Sequence, residues 1–166
     1  MELSKKIDLL KHTMDRYDHY YDSINNKSNL YLTLNTFLFG GIIAGYYSIK
    51  DEYFCSSSII SLVWIALIFC IISIGFVLIA ITPYVSRHQK ASTISVLNYS
   101  CIGSISLDDL KTAYDAMGES ESFNDYLKQV HLLGKGLKKK FYYLRIATFF
   151  LGGVFLFITI IGIQIF

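Results

Sequence analysis

Charge and proline are both scarce in this sequence of 166 residues. Only 17% of its side chains are charged and one residue is proline, whereas 53% are hydrophobic and the mean hydropathy is +0.43. An ordinary soluble domain carries charge on about a quarter of its residues. Residues 28–49, 53–86 and 146–166 contain no Asp, Glu, Lys or Arg, and about 20 helical residues cross a bilayer. The composition excludes a disordered chain and a soluble domain, and it predicts three membrane spans.

Cysteine is also rare, and its positions exclude two kinds of site. Cys55, Cys70 and Cys101 fall in an external loop, a span and a cytoplasmic segment respectively. No intrachain disulfide is expected across those compartments, and the spacing is not that of a metal site. A phosphate-cradling glycine loop and a nucleophile elbow are also missing. We therefore predict a protein that is not an enzyme, with no catalytic residue, metal or cofactor.

The distribution of basic residues predicts the orientation. Five Lys and Arg precede the first span, one lies in the loop at Lys50, and nine lie between the second and third spans. The positive-inside rule places the amino terminus and the long middle segment in the cytoplasm, and the carboxy terminus outside. The polar start does not resemble a cleaved signal peptide, so the first span should be retained. The predicted segments are a cytoplasmic amphipathic helix (1–28), transmembrane helix 1 (29–49), an external loop (50–57), transmembrane helix 2 (58–82), a cytoplasmic helical segment (83–145) and transmembrane helix 3 (146–166).

Apolar residues at helical spacing predict that two of these helices extend out of the membrane. One stripe precedes the first span and another precedes the third, in both cases without a helix breaker before the span. The stripes consist of Ile7, Leu10, Met14, Tyr17, Tyr21 and Ile24, and of Phe123, Tyr126, Leu127, Val130, Leu133, Leu137, Phe141 and Leu144. The predicted fold is an all-α integral membrane protein with three transmembrane helices and cytoplasmic helical extensions before spans one and three.

Capping signals set the expected helix boundaries in the middle segment. Ser106 followed by Asp109 predicts a short helix over residues 107–117, and Ser122 followed by Asp125 predicts the start of the long third helix. Residues 87–99 are expected to continue as helix after the second span and to end in a turn. Gly134 and Gly136 interrupt the long helix as either close-packing points or a hinge.

One protomer has few cytoplasmic helices with which to cover these apolar faces. That shortage predicts a homo-oligomer. Within the first span, Gly41 and Gly45 form a small-xxx-small pattern that allows close helix approach. Asn35 places a side-chain amide within the hydrocarbon. For such a residue, packing against another helix is favoured over lining a pore.

A basic cluster precedes the third span. Its members are Lys135, Lys138, Lys139, Lys140 and Arg145. Such a cluster at the cytoplasmic surface is typical of a membrane anchor held by anionic headgroups, and the alternative is a site for an anionic ligand. Lys27 before the first span has the same two interpretations. The net charge of +2 is too small to indicate nucleic-acid binding.

Four segments together carry a resemblance to a known family. "INNKSNLYLTLNTFLFGGII" has a polar residue, Lys27 and a small residue opening a span with a mid-helix Asn. "ITPYVS" is a proline-marked span exit, "LNYSCIGSIS" follows it, and "YLKQVHLLGKGLKKKFYYLRIATFFLGG" forms a closing helix. In this order they resemble the transmembrane effectors of the bacterial anti-phage Pycsar system, from about Lys6 to the end. More distantly, the start is similar to two-span effector modules associated with nucleotidyltransferases.

The resemblance implies a membrane effector of an abortive-infection system. A partner nucleotide cyclase would detect phage and make a cyclic nucleotide. The effector would respond by oligomerising or rearranging, and the inner membrane would lose integrity. The implied ligand-binding residues are Lys27, Arg87, Lys90, Tyr99, Lys140, Tyr143 and Arg145. Two other functions fit the sequence: a constitutive small pore or channel, and a non-enzymatic membrane scaffold.

Overall fold

A computed structural model describes residues 2–49, 57–83 and 95–165. Within these ranges the chain forms five helices and no strand: α1 (Leu3–Ile49), α2 (Ser57–Ile81), α3 (Tyr99–Ile102), α4 (Leu107–Asp115) and α5 (Glu119–Ile165). Three of them, α1, α2 and α5, are long and apolar enough to cross a membrane. The predicted all-α membrane fold with three spanning helices is confirmed.

Helices α1 and α5 each run for 47 residues without interruption. The polar extensions therefore continue directly into the apolar segments, as the absence of breakers predicts. Gly134 does not break α5. A Cβ placed there would lie 3.4 Å from the Tyr17 hydroxyl, which is ordinary van der Waals contact. Of the two expectations for Gly134, close packing is the one observed.

Helix α5 begins earlier than its predicted cap. It starts at Glu119, and the Ser122 amide donates to the Gly118 carbonyl, so Ser122 lies inside the first turn. Glu119 and Glu121 supply negative charge beside the exposed amides of that turn, which favours a helix start. The predicted cap at Ser122 is wrong because Ser122 is already helical. The Asp125 carboxylate, expected to support the cap, accepts instead from the Ser95 hydroxyl and the Val96 amide.

The segment after α2 also differs from its prediction in the part that is described. Residues 95–98 are not helical, whereas the sequence predicts a helix up to Tyr99. The short helix α3 begins at Tyr99 because the Asn98 side chain accepts from the Ser100 amide. The predicted cap of α4 is confirmed, since the Ser106 hydroxyl accepts from the Asp109 amide at 3.1 Å. Helix α4 ends at Asp115, two residues before its predicted end.

The chain divides into two compact units. The first comprises Met1–Tyr21 and Pro83–Lys138. In it, the start of α1 packs on the first half of α5. The Tyr21 hydroxyl donates to the Leu133 carbonyl at 3.0 Å. The Lys6 ammonium lies 5.9 Å from the Phe123 ring centroid, within cation–π range.

The second unit comprises Asp22–Thr82 and Lys139–Phe166 and contains the apolar segments. Helix α2 buries residues three or four positions apart along one face: Ile59, Val63, Ala66, Cys70, Ser73, Val77 and Ala80. Rings fill the space between α2 and α5. Phe69 makes edge contacts with Phe150 and Phe157, at 5.1 and 5.2 Å between centroids.

Candidate functional site

A groove lies between α1 and α5 where their apolar segments begin. The volume of this open groove is about 410 Å³. Its lining residues are Lys27, Tyr31, Phe141, Leu144, Arg145, Thr148 and Phe149. Lys27 and Tyr31 are one turn apart on α1, and the α5 residues recur at steps of three, one, three and one, so each helix contributes a single face.

The two helices meet in register at this groove. Lys27 lies two residues before the predicted first span, and Arg145 directly precedes the predicted third span. One turn further along both helices, the Thr148 and Tyr31 hydroxyls are hydrogen bonded at 3.2 Å. The cations therefore share one level, and the hydroxyls share the next level into the apolar segments.

The groove is positively charged. Lys27 and Arg145 are both exposed. Neither makes an ion pair with a described residue. The described lining residues of the groove include no carboxylate. The two cations suit an anionic group, because Arg and Lys form strong charge-assisted hydrogen bonds to phosphate. The neighbouring rings of Phe141 and Phe149 suit an apolar part of the same ligand.

Two other predicted ligand residues contact protein instead. The Lys140 ammonium donates to the Ala80 and Ile81 carbonyls at 2.7 and 3.1 Å, where α2 ends. Lys140 precedes the apolar part of α5, and its burial lowers the pKa of the ammonium below the usual value. The Tyr143 ring stacks on Phe76, with 6.2 Å between centroids.

The remaining predicted ligand residues lie elsewhere. Tyr99 opens α3 in the first unit and is 71% exposed. Arg87 and Lys90 lie outside the described residues. The structure therefore brings two of the seven predicted residues, Lys27 and Arg145, together in one groove.

A sequence model described as the Pycsar effector protein domain matches residues 9–166. The chain belongs to the Pycsar effector family. The resemblance proposed from the sequence is confirmed over nearly the whole chain, and membership identifies a membrane effector in anti-phage defence. No curated protein and no solved structure matches the chain.

Asn35 links the three long helices of this Pycsar effector. Its side chain is fully buried, and its amide lies within hydrogen-bond distance of the Tyr31 carbonyl, at 2.8 Å, and the Ser73 hydroxyl, at 3.0 Å. Ser73 in turn donates to the Ala147 carbonyl at 3.0 Å. This is the geometry of a packing residue within one chain. Among described residues, the Asn35 Oδ1 and the Ser28 Oγ are buried without a partner.

Within the apolar segments of the Pycsar effector, a close glycine contact lies at Gly153 rather than at Gly41 or Gly45. A Cβ at Gly41 or Gly45 would meet no atom of the described residues within 4 Å, so neither packs against another described helix. A Cβ at Gly153 would lie 2.6 Å from the Phe69 ring. The close approach is therefore between α5 and α2. Close helix approach at Gly41 and Gly45 stays a prediction.

Sequence reasoning also missed a polar anchor in the first unit of the Pycsar effector. The Asp125 carboxylate is nearly buried and accepts from the Ser95 hydroxyl at 2.6 Å and the Val96 amide at 3.0 Å. The Gln129 amide donates to the same Ser95 hydroxyl at 3.0 Å. The only signal in the sequence was one-turn spacing, because Asp125 and Gln129 share a face of α5. These contacts hold residues 95–96 against α5.

Proposed function

We propose that this Pycsar effector responds to a cyclic nucleotide made by a partner cyclase, oligomerises or rearranges, and impairs the integrity of the inner membrane. Family membership carries this proposal. The three helices able to cross a membrane support the proposal, because a protein that impairs a membrane has to be inserted in it. The amino terminus and residues 83–145 would face the cytoplasm, where the nucleotide is made, and the carboxy terminus would lie outside.

A response of this kind requires two states with different affinity for the nucleotide. A ligand shifts an equilibrium only as far as it binds one state better than the other. Among the described candidates, the exposed Tyr99 ring offers a stacking surface for the base. Lys140 and Tyr143 would have to leave their present contacts before they could bind a ligand.

The cellular experiment separates the candidate functions. The chain is expressed with an active cyclase and, in parallel, with the same cyclase carrying an inactivating substitution, and a potential-sensitive dye reports the membrane potential. Depolarisation only with the active cyclase is the expected result. Depolarisation by the chain alone would instead identify a constitutive pore, and no depolarisation in either case would contradict the effector mechanism and favour a scaffold.

The binding experiment tests direct sensing. Thermal unfolding and detergent-corrected mass of the purified chain are measured with and without cyclic mononucleotides. We expect a higher unfolding temperature and a larger assembly with the activating nucleotide. Tyr99→Ala should abolish the shift if Tyr99 stacks on the base, whereas Tyr114→Ala removes another exposed ring of the same unit and should retain it. No shift with any cyclic nucleotide would refute direct sensing.

A further inference from the structure

We infer that the groove between α1 and α5 is a binding site for one anionic phospholipid. Lys27 and Arg145 would hold the phosphate, and the faces of Phe141 and Phe149 would receive the upper part of an acyl chain. The inference concerns the groove alone and does not depend on the nucleotide response.

The depth of the groove along the two helices matches the layers of a phospholipid. Lys27 and Arg145 lie at the ends of the polar extensions, and the next residues on both helices begin the apolar segments. Tyr31 and Thr148 follow after four and three residues, which is about 6 and 4.5 Å along a helix. The cations thus lie at headgroup level, the hydroxyl pair at glycerol and ester level, and Phe149 at the start of the hydrocarbon.

The charge of the groove favours a lipid with a net negative headgroup. The groove has two cations and, among its lining residues, no carboxylate. A net negative lipid satisfies both cations, and arginine can bind a phosphate with two parallel hydrogen bonds. A zwitterionic lipid brings an ammonium group into the same positive region, so it should bind less tightly.

The aromatic lining of the groove favours an acyl chain over a soluble nucleotide. Phe149 is 75% exposed and Phe141 is 41% exposed on the groove side of the chain. A soluble nucleotide in this groove would have to displace hydrocarbon from Phe149 and place polar ribose atoms beside it, which is unfavourable. An acyl chain meets the same surface without burying a polar group.

The test uses the full chain in neutral detergent micelles, titrated with dioleoylphosphatidylglycerol or dioleoylphosphatidylcholine. Native mass spectrometry counts the bound lipids. We expect one phosphatidylglycerol to bind more tightly than the others and more tightly than phosphatidylcholine. Each basic side chain near an anionic surface contributes about fivefold in affinity, so Lys27→Gln with Arg145→Gln should lower the preference roughly 30-fold.

The matched control is Lys111→Gln with Lys128→Gln, which removes two exposed cations that lie outside both the groove and the basic cluster before the third span. It should keep the preference, and circular dichroism should show that both double variants are helical. If the groove double variant does not fold, the two single variants provide the test, with about fivefold expected for each. Equal binding of the two lipids, equal loss in the control, or displacement of phosphatidylglycerol by inorganic phosphate or a cyclic mononucleotide would each overturn the inference.

Discussion

Adjacent glycines of α5 provide a test of how tightly the membrane helices are packed. A methyl group added at Gly153 would lie 2.6 and 2.7 Å from two atoms of the Phe69 ring, whereas one added at Gly152 would meet no atom of the described residues within 4 Å. The Phe69 ring cannot move freely, because the Phe150 and Phe157 rings both contact it.

The magnitude follows from comparing the two alanine variants. Both gain the same helix propensity, up to about 1 kcal/mol, so this contribution cancels in the difference. Only Gly153→Ala overfills a packed site, which typically costs about 1–3 kcal/mol. We therefore expect Gly153→Ala to unfold with a free energy about 1–3 kcal/mol lower than that of Gly152→Ala.

Equilibrium unfolding in mixed micelles with increasing dodecyl sulfate, followed by circular dichroism, measures this difference. Phe69→Leu combined with Gly153→Ala should recover part of the loss, because the smaller side chain makes room for the added methyl group. If the two alanine variants agree within about 0.5 kcal/mol, the close approach of α5 to α2 at this level is refuted.

Three further changes test the polar contacts. Ser73→Ala removes the hydroxyl that bridges α1 and α5, and it should lower the free energy of unfolding by about 0.6–1.7 kcal/mol. Ser61→Ala is the control and should leave this free energy nearly unchanged, because the Ser61 hydroxyl is exposed and bonds within its own helix. Equal effects of the two substitutions would contradict the bridging role of Ser73. Lys140→Met removes two charge-assisted bonds at the end of α2 and should lower the same free energy by about 1–3 kcal/mol, and an unchanged value would mean that the contact contributes nothing. Asp125→Ala should speed hydrogen exchange at the Val96 amide, measured by mass spectrometry, and an unaltered rate would show that this anchor does not restrain residue 96.

Local sequence patterns predicted most of the helices. The charge-free stretches located the three spanning helices, and the unbroken stripes predicted that α1 and α5 continue out of the apolar segments. The Ser106 cap was predictable because its partner, Asp109, is three residues away. Each of these features depends on neighbours in the sequence, where spacing along the chain determines spacing in the structure.

The contacts that sequence reasoning missed all join distant residues. Asp125 had the spacing of a capping acid after Ser122, but its partners Ser95 and Val96 come from about 30 residues earlier. Gly41 and Gly153 give similar local signals, and periodicity does not reveal which face of a helix meets another helix. Lys140 belonged to a basic cluster, and nothing in that cluster distinguished the one ammonium that reaches the end of α2.

The position of Lys140 has a consequence for its reactivity. Its side chain is only 6% exposed, whereas Lys138 on the same helix is exposed. An acylating reagent should therefore modify Lys138 readily and Lys140 slowly while α5 stays against the end of α2. Any state of the effector that separates these two helices would remove that protection, so the labelling ratio of the two lysines can follow activation in intact membranes.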